Sequence, residues 1–141
     1  MLQREDVFDE TPQADELTMV LDDLEQLINS HRFPIHSDLA LHDALEYTIR
    51  KNRVDYELLR EFRHSGTIRF IFWLPQFGIP IEIKIDASAS AVMRQLHRYA
   101  TWPNVNAILL VTTRVRHVAL IREADSLGKP LRIVSLASSI V

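Results

Sequence analysis

The run of apolar residues from Val105 to Thr113 restricts the fold of this chain more than any other segment. It contains no charged residue, and such a run is typical of a β-strand that is buried on both faces of its sheet. Helices on both sides of the sheet exclude water from a strand of this kind. The run therefore predicts an α/β domain with a mixed central sheet flanked by helices.

Helical segments lie before and after this run. Apolar residues recur in them at intervals of three and four, which is the spacing of one buried helix face. Ser37 is placed to cap the second helix, and Gly128 is placed to end the last one. These patterns predict helices over residues 11–30, 37–51, 88–100 and 115–127.

Extended segments occupy the region between the second and third helices. Turn residues interrupt them around Gly66 and Pro75, so they are predicted to form an antiparallel meander. The predicted strands are Tyr56–Arg63, Thr67–Leu74, Gly78–Ile85, Val105–Thr113 and Leu131–Leu136. The predicted order is therefore an N-terminal helix, an αβββαβ series and a C-terminal αβ unit.

The charges divide the 141 residues into two parts. Residues 1–36 contain nine acidic residues and two arginines, whereas residues 37–141 carry a net charge of +4. We therefore expect an acidic N-terminal helix and linker over residues 1–36 and a core domain over residues 37–141. The basic core suits contacts with DNA phosphates, and the acidic helix offers a docking surface for a protein partner or for a homodimer.

Features that the sequence lacks narrow the location and the chemistry. No apolar run approaches the roughly 20 residues that span a bilayer, and the first residues are acidic, unlike those of a signal peptide. We therefore expect a cytoplasmic protein with no membrane partner. The sequence has no cysteine, so oxygen or histidine ligands would have to hold any metal ion.

Two charged residues interrupt the third strand of the predicted meander. Glu82 and Lys84 are two positions apart, so their side chains leave the same face of the sheet, while Ile81 and Ile83 fill the other. A carboxylate beside an ammonium group suits phosphodiester hydrolysis, in which the acid binds Mg²⁺ and the lysine orients water or stabilises charge on phosphorus. The same alternation also occurs as a salt bridge on a half-exposed strand.

The helix predicted over residues 88–100 carries two rows of polar residues. Gln95 and Tyr99 lie one turn apart and are predicted to face the sheet. Arg94 and Arg98 form a second row that suits contacts with the DNA backbone. The alternative is a packed tyrosine beside solvated arginines.

Together these motifs resemble the PD-(D/E)XK nuclease superfamily, which has the restriction-endonuclease-like fold. The resemblance covers about residues 37–113. It is to the branch with a Gln-x-x-x-Tyr motif, which includes lambda exonuclease and the RecB-like nucleases. It implies a restriction-endonuclease-like core and Mg²⁺ or Mn²⁺ as cofactor. The implied catalytic residues are Glu82 as metal ligand, Lys84 beside the attacking water, and Gln95 and Tyr99 in shaping the site.

The chain departs from the family on the strand before Glu82. The stretch from Gly66 to Phe70 resembles the family's Gly-x-Ile-Asp-Phe, with Arg69 in the position of the metal-binding Asp. In a simple hairpin, Ile71 would lie opposite Glu82 and Arg69 opposite Lys84 on the same face. A guanidinium group cannot bind Mg²⁺, and its charge opposes a nearby cation.

Two other acidic residues are candidates for the missing metal ligand. Glu61 on the neighbouring strand either replaces the lost carboxylate or forms an ion pair with Arg69. Glu46 belongs to a stripe with Asp38 and His42 on the second helix, and such a stripe is otherwise a solvated face.

The sequence therefore predicts a divalent-metal-dependent nuclease that cleaves DNA at an atypical site. The alternative is a catalytically inactive member of the same fold that binds DNA or protein as a regulatory module, with Arg69 neutralising the old metal site. A purely protein-binding role through the acidic helix remains a third possibility.

Overall fold

The computed structural model of the chain describes residues 12–63, 66 and 68–136, including every side chain among them except those of residues 115 and 116. Within these residues the helices are α1 (Ala14–Asn29), α2 (Asp38–Asn52), α3 (Ala89–Ala100) and a 3₁₀ helix (Val115–Leu127). The strands are β1 (Leu59–Arg63), β2 (Arg69–Leu74), β3 (Ile79–Lys84), β4 (Ile108–Thr112) and β5 (Leu131–Ser135). The predicted helix start at Thr11 and strand start at Thr67 lie outside the described residues. No helix of the described part has the length and apolar character needed to cross a membrane.

The strands form one five-stranded sheet in chain order. β1, β2 and β3 pair antiparallel, as the predicted meander requires, whereas β4 and β5 extend the sheet in parallel. All residues of β4 are buried, as its apolar run predicts. The chain is therefore an α/β domain with a mixed sheet.

Helices cover both faces of this sheet and divide the core into two parts. α1 and α2 pack on the first face, which includes Ile81 and Ile83. α3 and the 3₁₀ helix pack on the second face, which includes Ile108. Because side chains alternate along a strand, β3 directs its isoleucines to the first face and Glu82 and Lys84 to the second.

The acidic helix α1 is part of this core. Its buried residues are Leu17, Val20, Leu21, Leu24, Leu27 and Ile28. Its acidic side is joined to the rest of the domain by ion pairs, since Asp23 pairs with Arg53 at 2.6 Å and Asp22 pairs with Arg132 at 2.7 Å. The two parts that the charges distinguish therefore share one core, and the apolar stripe of α1 is covered within the chain.

The turn between β2 and β3 requires a glycine. Gly78 has a φ of +69°, and a Cβ atom at this position would collide with the main-chain oxygen of Asn104. The carbonyl oxygen of Gly78 also accepts a hydrogen bond of 2.7 Å from the main-chain nitrogen of Asn106, just before β4. These contacts hold β3 beside β4 and thereby fix the positions of Glu82 and Lys84.

The last predicted helix is present over its expected residues, but it has 3₁₀ geometry. A 3₁₀ turn contains three residues, so the buried side chains of His117 and Leu120 lie on one side of it. Gly128 ends the helix in the left-handed conformation, with a φ of +73°. The apolar pattern of the sequence does not separate this geometry from an α-helix, because both place residues three apart on neighbouring turns.

Replacing Leu24 by alanine tests whether α1 is integral to the fold. Leu24 is completely buried, so the substitution should lower the free energy of unfolding by about 3 kcal/mol. Met19 lies on the same helix but is 70% exposed. Met19→Ala should therefore change the free energy of unfolding by less than about 0.5 kcal/mol. Chemical denaturation measures both. Equal small effects would show that α1 is not part of the cooperative core.

Candidate functional site

The pair of Glu82 and Lys84 lies near the end of β3, on the second face of the sheet. Glu82 is almost completely buried, with 1% of its surface exposed. Lys84 Nζ lies 3.1 Å from Glu82 Oε2, and the lysine side chain is 30% exposed. The pair therefore consists of a buried carboxylate and a lysine that is partly exposed to solvent.

The environment of Glu82 disfavours its charge. Burial raises the pKa of this carboxyl group, while the neighbouring Lys84 and Tyr99 act in the opposite direction. Among the described residues, Glu82 Oε1 has no hydrogen-bond partner. A buried carboxylate oxygen left in this way is costly, and such groups are found at functional sites more often than in ordinary cores.

Helix α3 packs on the face of the sheet that carries Glu82, and it contains both residues of the Gln-x-x-x-Tyr motif. Ser88 caps this helix through the main-chain nitrogen of Ala91, and Tyr99 is buried on the side that packs on the sheet. Gln95 Nε2 donates a hydrogen bond of 2.8 Å to the Tyr99 hydroxyl. The helical spacing thus places Gln95 and Tyr99 on the same sheet face as Glu82, as the sequence predicts.

The Tyr99 hydroxyl also holds the main chain of β2. It donates to the carbonyl oxygen of Arg69 at 3.3 Å. Burial raises the pKa of Tyr99, and the nearby Glu82 carboxylate raises it further. Tyr99 therefore stays protonated at neutral pH and can donate this bond. The motif fixes the strand at the position where the resembling family has its Asp.

The strands β2 and β3 pair in the predicted register, but their pairing ends before it reaches the site. In the described residues their pairing extends from Leu74 opposite Ile79 only as far as Phe72 opposite Ile81. Alternation along β2 is also interrupted, because Phe70 and Trp73 both pack in the core of the second face. Phe70 points to that face. Its neighbour Arg69 is therefore directed away from it and does not stand beside Lys84 as the simple hairpin predicts.

A backbone distortion on β1 accompanies this interruption. Glu61 has a φ of +55°, in the left-handed region that residues other than glycine seldom adopt. Such a conformation is typical of a bulge at the edge of a sheet, where it reorients side chains. Glu61 lies 3.6 Å from Arg69, and both side chains are more than half exposed. Of the two roles predicted for Glu61, the structure shows the ion pair.

The third predicted metal ligand lies elsewhere. Glu46 belongs to α2, on the first face of the sheet, whereas Glu82 is on the second. Arg60 and Arg50 bind its carboxylate at 2.8 and 3.0 Å and hold its pKa below the usual range. Within the described residues, no three acidic or histidine side chains are grouped so that they could hold a metal ion. Glu46, Glu61 and Glu82 are thus not brought together.

The predicted phosphate contacts are both on the surface of α3. Arg94 and Arg98 are exposed, and Arg98 Nη2 donates a hydrogen bond of 2.7 Å to Gln95 Oε1. The hydrogen bonds therefore connect the surface arginine, through Gln95 and Tyr99, to the strand beside Glu82.

A buried histidine next to the site was missed from the sequence. His117 is completely buried, and its Nε2 lies 2.8 Å from the carbonyl oxygen of Ala87, which can only accept a hydrogen. In the neutral ring, Nδ1 then accepts the hydroxyl hydrogen of Thr112 at 2.7 Å. Thr112 pairs with Lys84 across the sheet. His117 thereby holds the start of α3 in place, and no pattern in the sequence distinguishes it from the other five histidines of the chain.

The buried carboxylate makes stability depend on pH. Because the folded-state pKa of Glu82 is raised, folded Glu82 keeps its proton after the unfolded chain has lost its own. Stability should therefore fall as the pH rises from the unfolded pKa, about 4.3, through the folded pKa. The stability of Glu82→Gln should not show this fall. The variant should therefore become more stable relative to the wild type over that pH range. Urea denaturation as a function of pH measures the free energy of unfolding of both proteins.

Lys84→Met provides the opposing variant. The lysine lowers the pKa of Glu82, so its removal should make the fall in stability larger and extend it to higher pH. Parallel pH curves for the wild type and Glu82→Gln would contradict the raised pKa.

Comparisons with known proteins do not assign the chain to a group. It matches no protein-family model, no curated protein and no solved structure. The function of this site therefore has to be inferred from its geometry and from the sequence motifs that form it.

Proposed function

We propose that this domain is a member of the PD-(D/E)XK superfamily that binds DNA and cleaves its phosphodiester bonds with Mg²⁺ or Mn²⁺. The observation that carries the proposal is the buried Glu82 carboxylate, which has one oxygen at Lys84 and the other without a partner among the described residues. Gln95 and Tyr99 lie on the same face of the sheet, which agrees with the site that the sequence motifs imply.

The residues fit a metal ion that is bound by few protein groups. Mg²⁺ commonly takes one or two carboxylates and completes its shell with water and with substrate phosphate oxygens. Glu82 would supply the carboxylate, and its side chain would have to turn the buried Oε1 atom toward the metal ion and its water molecules. A bound divalent ion would polarise the phosphodiester and lower the pKa of a bound water molecule.

Each remaining residue of the site has a role that follows from its position. Lys84 is 30% exposed and lies 3.1 Å from Glu82, so its ammonium group can orient water or stabilise charge on a phosphate. Tyr99 holds the main chain of β2 through a hydrogen bond, and Gln95 holds Tyr99, so both are positioning residues. Arg94 and Arg98 are exposed on the same helix and can neutralise backbone phosphates.

A second candidate function is DNA binding without cleavage. It is favoured by Arg69, which has replaced the family's Asp, and by the separation of Glu46 and Glu61 from Glu82. In this case Glu82 and Lys84 are a structural pair within the site.

Cleavage assays distinguish the two functions. Labelled single-stranded, double-stranded and branched DNA would be incubated with the protein and Mg²⁺ or Mn²⁺. The nuclease proposal expects cleavage that chelation of the metal abolishes and that Lys84→Ala lowers by at least about 100-fold, the contribution typical of a group that stabilises developing charge. Lys51→Ala, on the exposed side of α2, is the matched control and should cleave like the wild type.

The absence of any cleavage by a folded protein that still binds DNA would favour the binding module. Cleavage by Lys84→Ala at the wild-type rate would remove Lys84 from the mechanism and with it the proposed site.

Binding to DNA should depend on the arginines of α3 under either function. The double variant Arg94→Glu, Arg98→Glu should weaken binding and make the salt dependence shallower, because each lost phosphate contact lowers the slope of log K against log salt by about one. Arg122→Glu alters an exposed arginine of the 3₁₀ helix and serves as the control. Fluorescence anisotropy over a salt series measures both, and equal behaviour of the two variants would exclude the α3 surface.

A further inference from the structure

An unusual pair of arginines lies at the end of the β1–β2 ladder. Arg63 and Arg69 are directly opposite each other in its last pair. Side chains in this relation leave the same face with Cβ atoms about 5 Å apart. Like charges at such positions repel, so the pair is unfavourable unless negative charge lies close to both.

Among the described residues, little negative charge lies close to the pair. Arg69 has Glu61 at 3.6 Å, in an exposed ion pair. Arg63 contacts the carbonyl oxygen of Gly66 at 3.5 Å, and no carboxylate of the described residues forms an ion pair with it. Among the described residues, the two guanidinium groups therefore have one ion-pair partner between them, Glu61, which pairs with Arg69.

Other arginines on the same sheet are neutralised. Arg60 of β1 has Asp43 at 2.6 Å and Glu46 at 2.8 Å. Arg132 of β5 has Asp22 at 2.7 Å and Glu25 at 2.8 Å. Since each of these holds two carboxylates at short distance, the incomplete pairing of Arg63 and Arg69 is a local property of this end of the sheet.

We propose that Arg63 and Arg69 together bind one backbone phosphate of DNA. Guanidinium groups present planar pairs of N–H donors that match phosphate oxygens, and two of them can hold one phosphate group. The inference rests on the proposed function, because it takes DNA as the partner. The arginine at position 69 is then a phosphate ligand in place of the metal ligand that the resembling family has there.

The arginine pair lies at the same end of the sheet as the candidate site. Tyr99, which approaches Glu82, donates its hydrogen bond to the main-chain oxygen of Arg69. The Arg69 guanidinium leaves the strand on the other side, away from the second face. A phosphate bound there would lie at the same end of the sheet as the Glu82–Lys84 pair, on the opposite face.

Substitutions that remove positive charge from the site, or negative charge beside it, test this proposal. The double variant Arg63→Gln, Arg69→Gln should weaken binding to a labelled DNA by about tenfold and lower the salt slope by about one, because the two side chains share one phosphate. Glu61→Gln should strengthen binding several-fold, because it removes the carboxylate that competes for Arg69. A variant that merely damages the fold cannot bind more tightly. Fluorescence anisotropy in the presence of chelator, where cleavage does not occur, measures each affinity.

Matched controls distinguish an effect of this site on DNA binding from an effect of the protein's net charge. Arg122→Gln and Glu123→Gln alter exposed residues of the 3₁₀ helix and change the net charge by the same amount per substitution. The proposal is overturned if the β1–β2 variants behave like these controls.

A measurement without DNA separates this proposal from the proposed function. Inorganic phosphate should raise the melting temperature of the wild type relative to chloride at equal ionic strength, and it should not do so for the double variant. If the wild type binds no DNA, the proposed function fails. The anion site then stands if the effect of phosphate is lost in the double variant, and it falls if both proteins respond equally.

Discussion

The burial of the Glu82 carboxylate is the constraint around which this end of the domain is arranged. A charged group removed from water has to be compensated by nearby charge or to accept a proton. Lys84 supplies the charge from two positions along the same strand, at 3.1 Å. The compensation is incomplete, because burial still raises the pKa of the carboxyl group. The domain thus retains an arrangement that costs stability, as functional sites commonly do.

The neighbouring elements keep that carboxylate in its position. The isoleucines that alternate with it are packed under α1 and α2, so β3 cannot rotate without exposing them. On the other face, Tyr99 and His117 bind main-chain oxygens of Arg69 on the neighbouring strand β2 and of Ala87 just after β3. The base of the site is therefore held by packing on one face and by hydrogen bonds on the other, and its arginines are exposed.

Much of the fold could be predicted from the sequence because single-strand and single-helix patterns determine it. The apolar run of β4, the alternation of β3 and the helical spacing of α3 each depend on one segment only. The distortion at Glu61 and the end of the β2–β3 pairing could not be predicted in this way, because no pattern within β1 or β2 alone indicates them. The candidate site follows the same division. Glu82, Lys84, Gln95 and Tyr99 share a face as their spacing requires, whereas the relation of Glu46, Glu61 and Arg69 to them depended on contacts between elements.

The distortion at Glu61 also affects how this sheet can meet another protein. β1 is an edge strand, and an edge strand with free main-chain groups is a template for the strand of a second chain. A left-handed residue in the middle of β1 and the charged side chains of Arg60, Glu61 and Arg63 oppose such an addition. The kink beside the candidate site therefore disfavours aggregation through added β-strands at this edge.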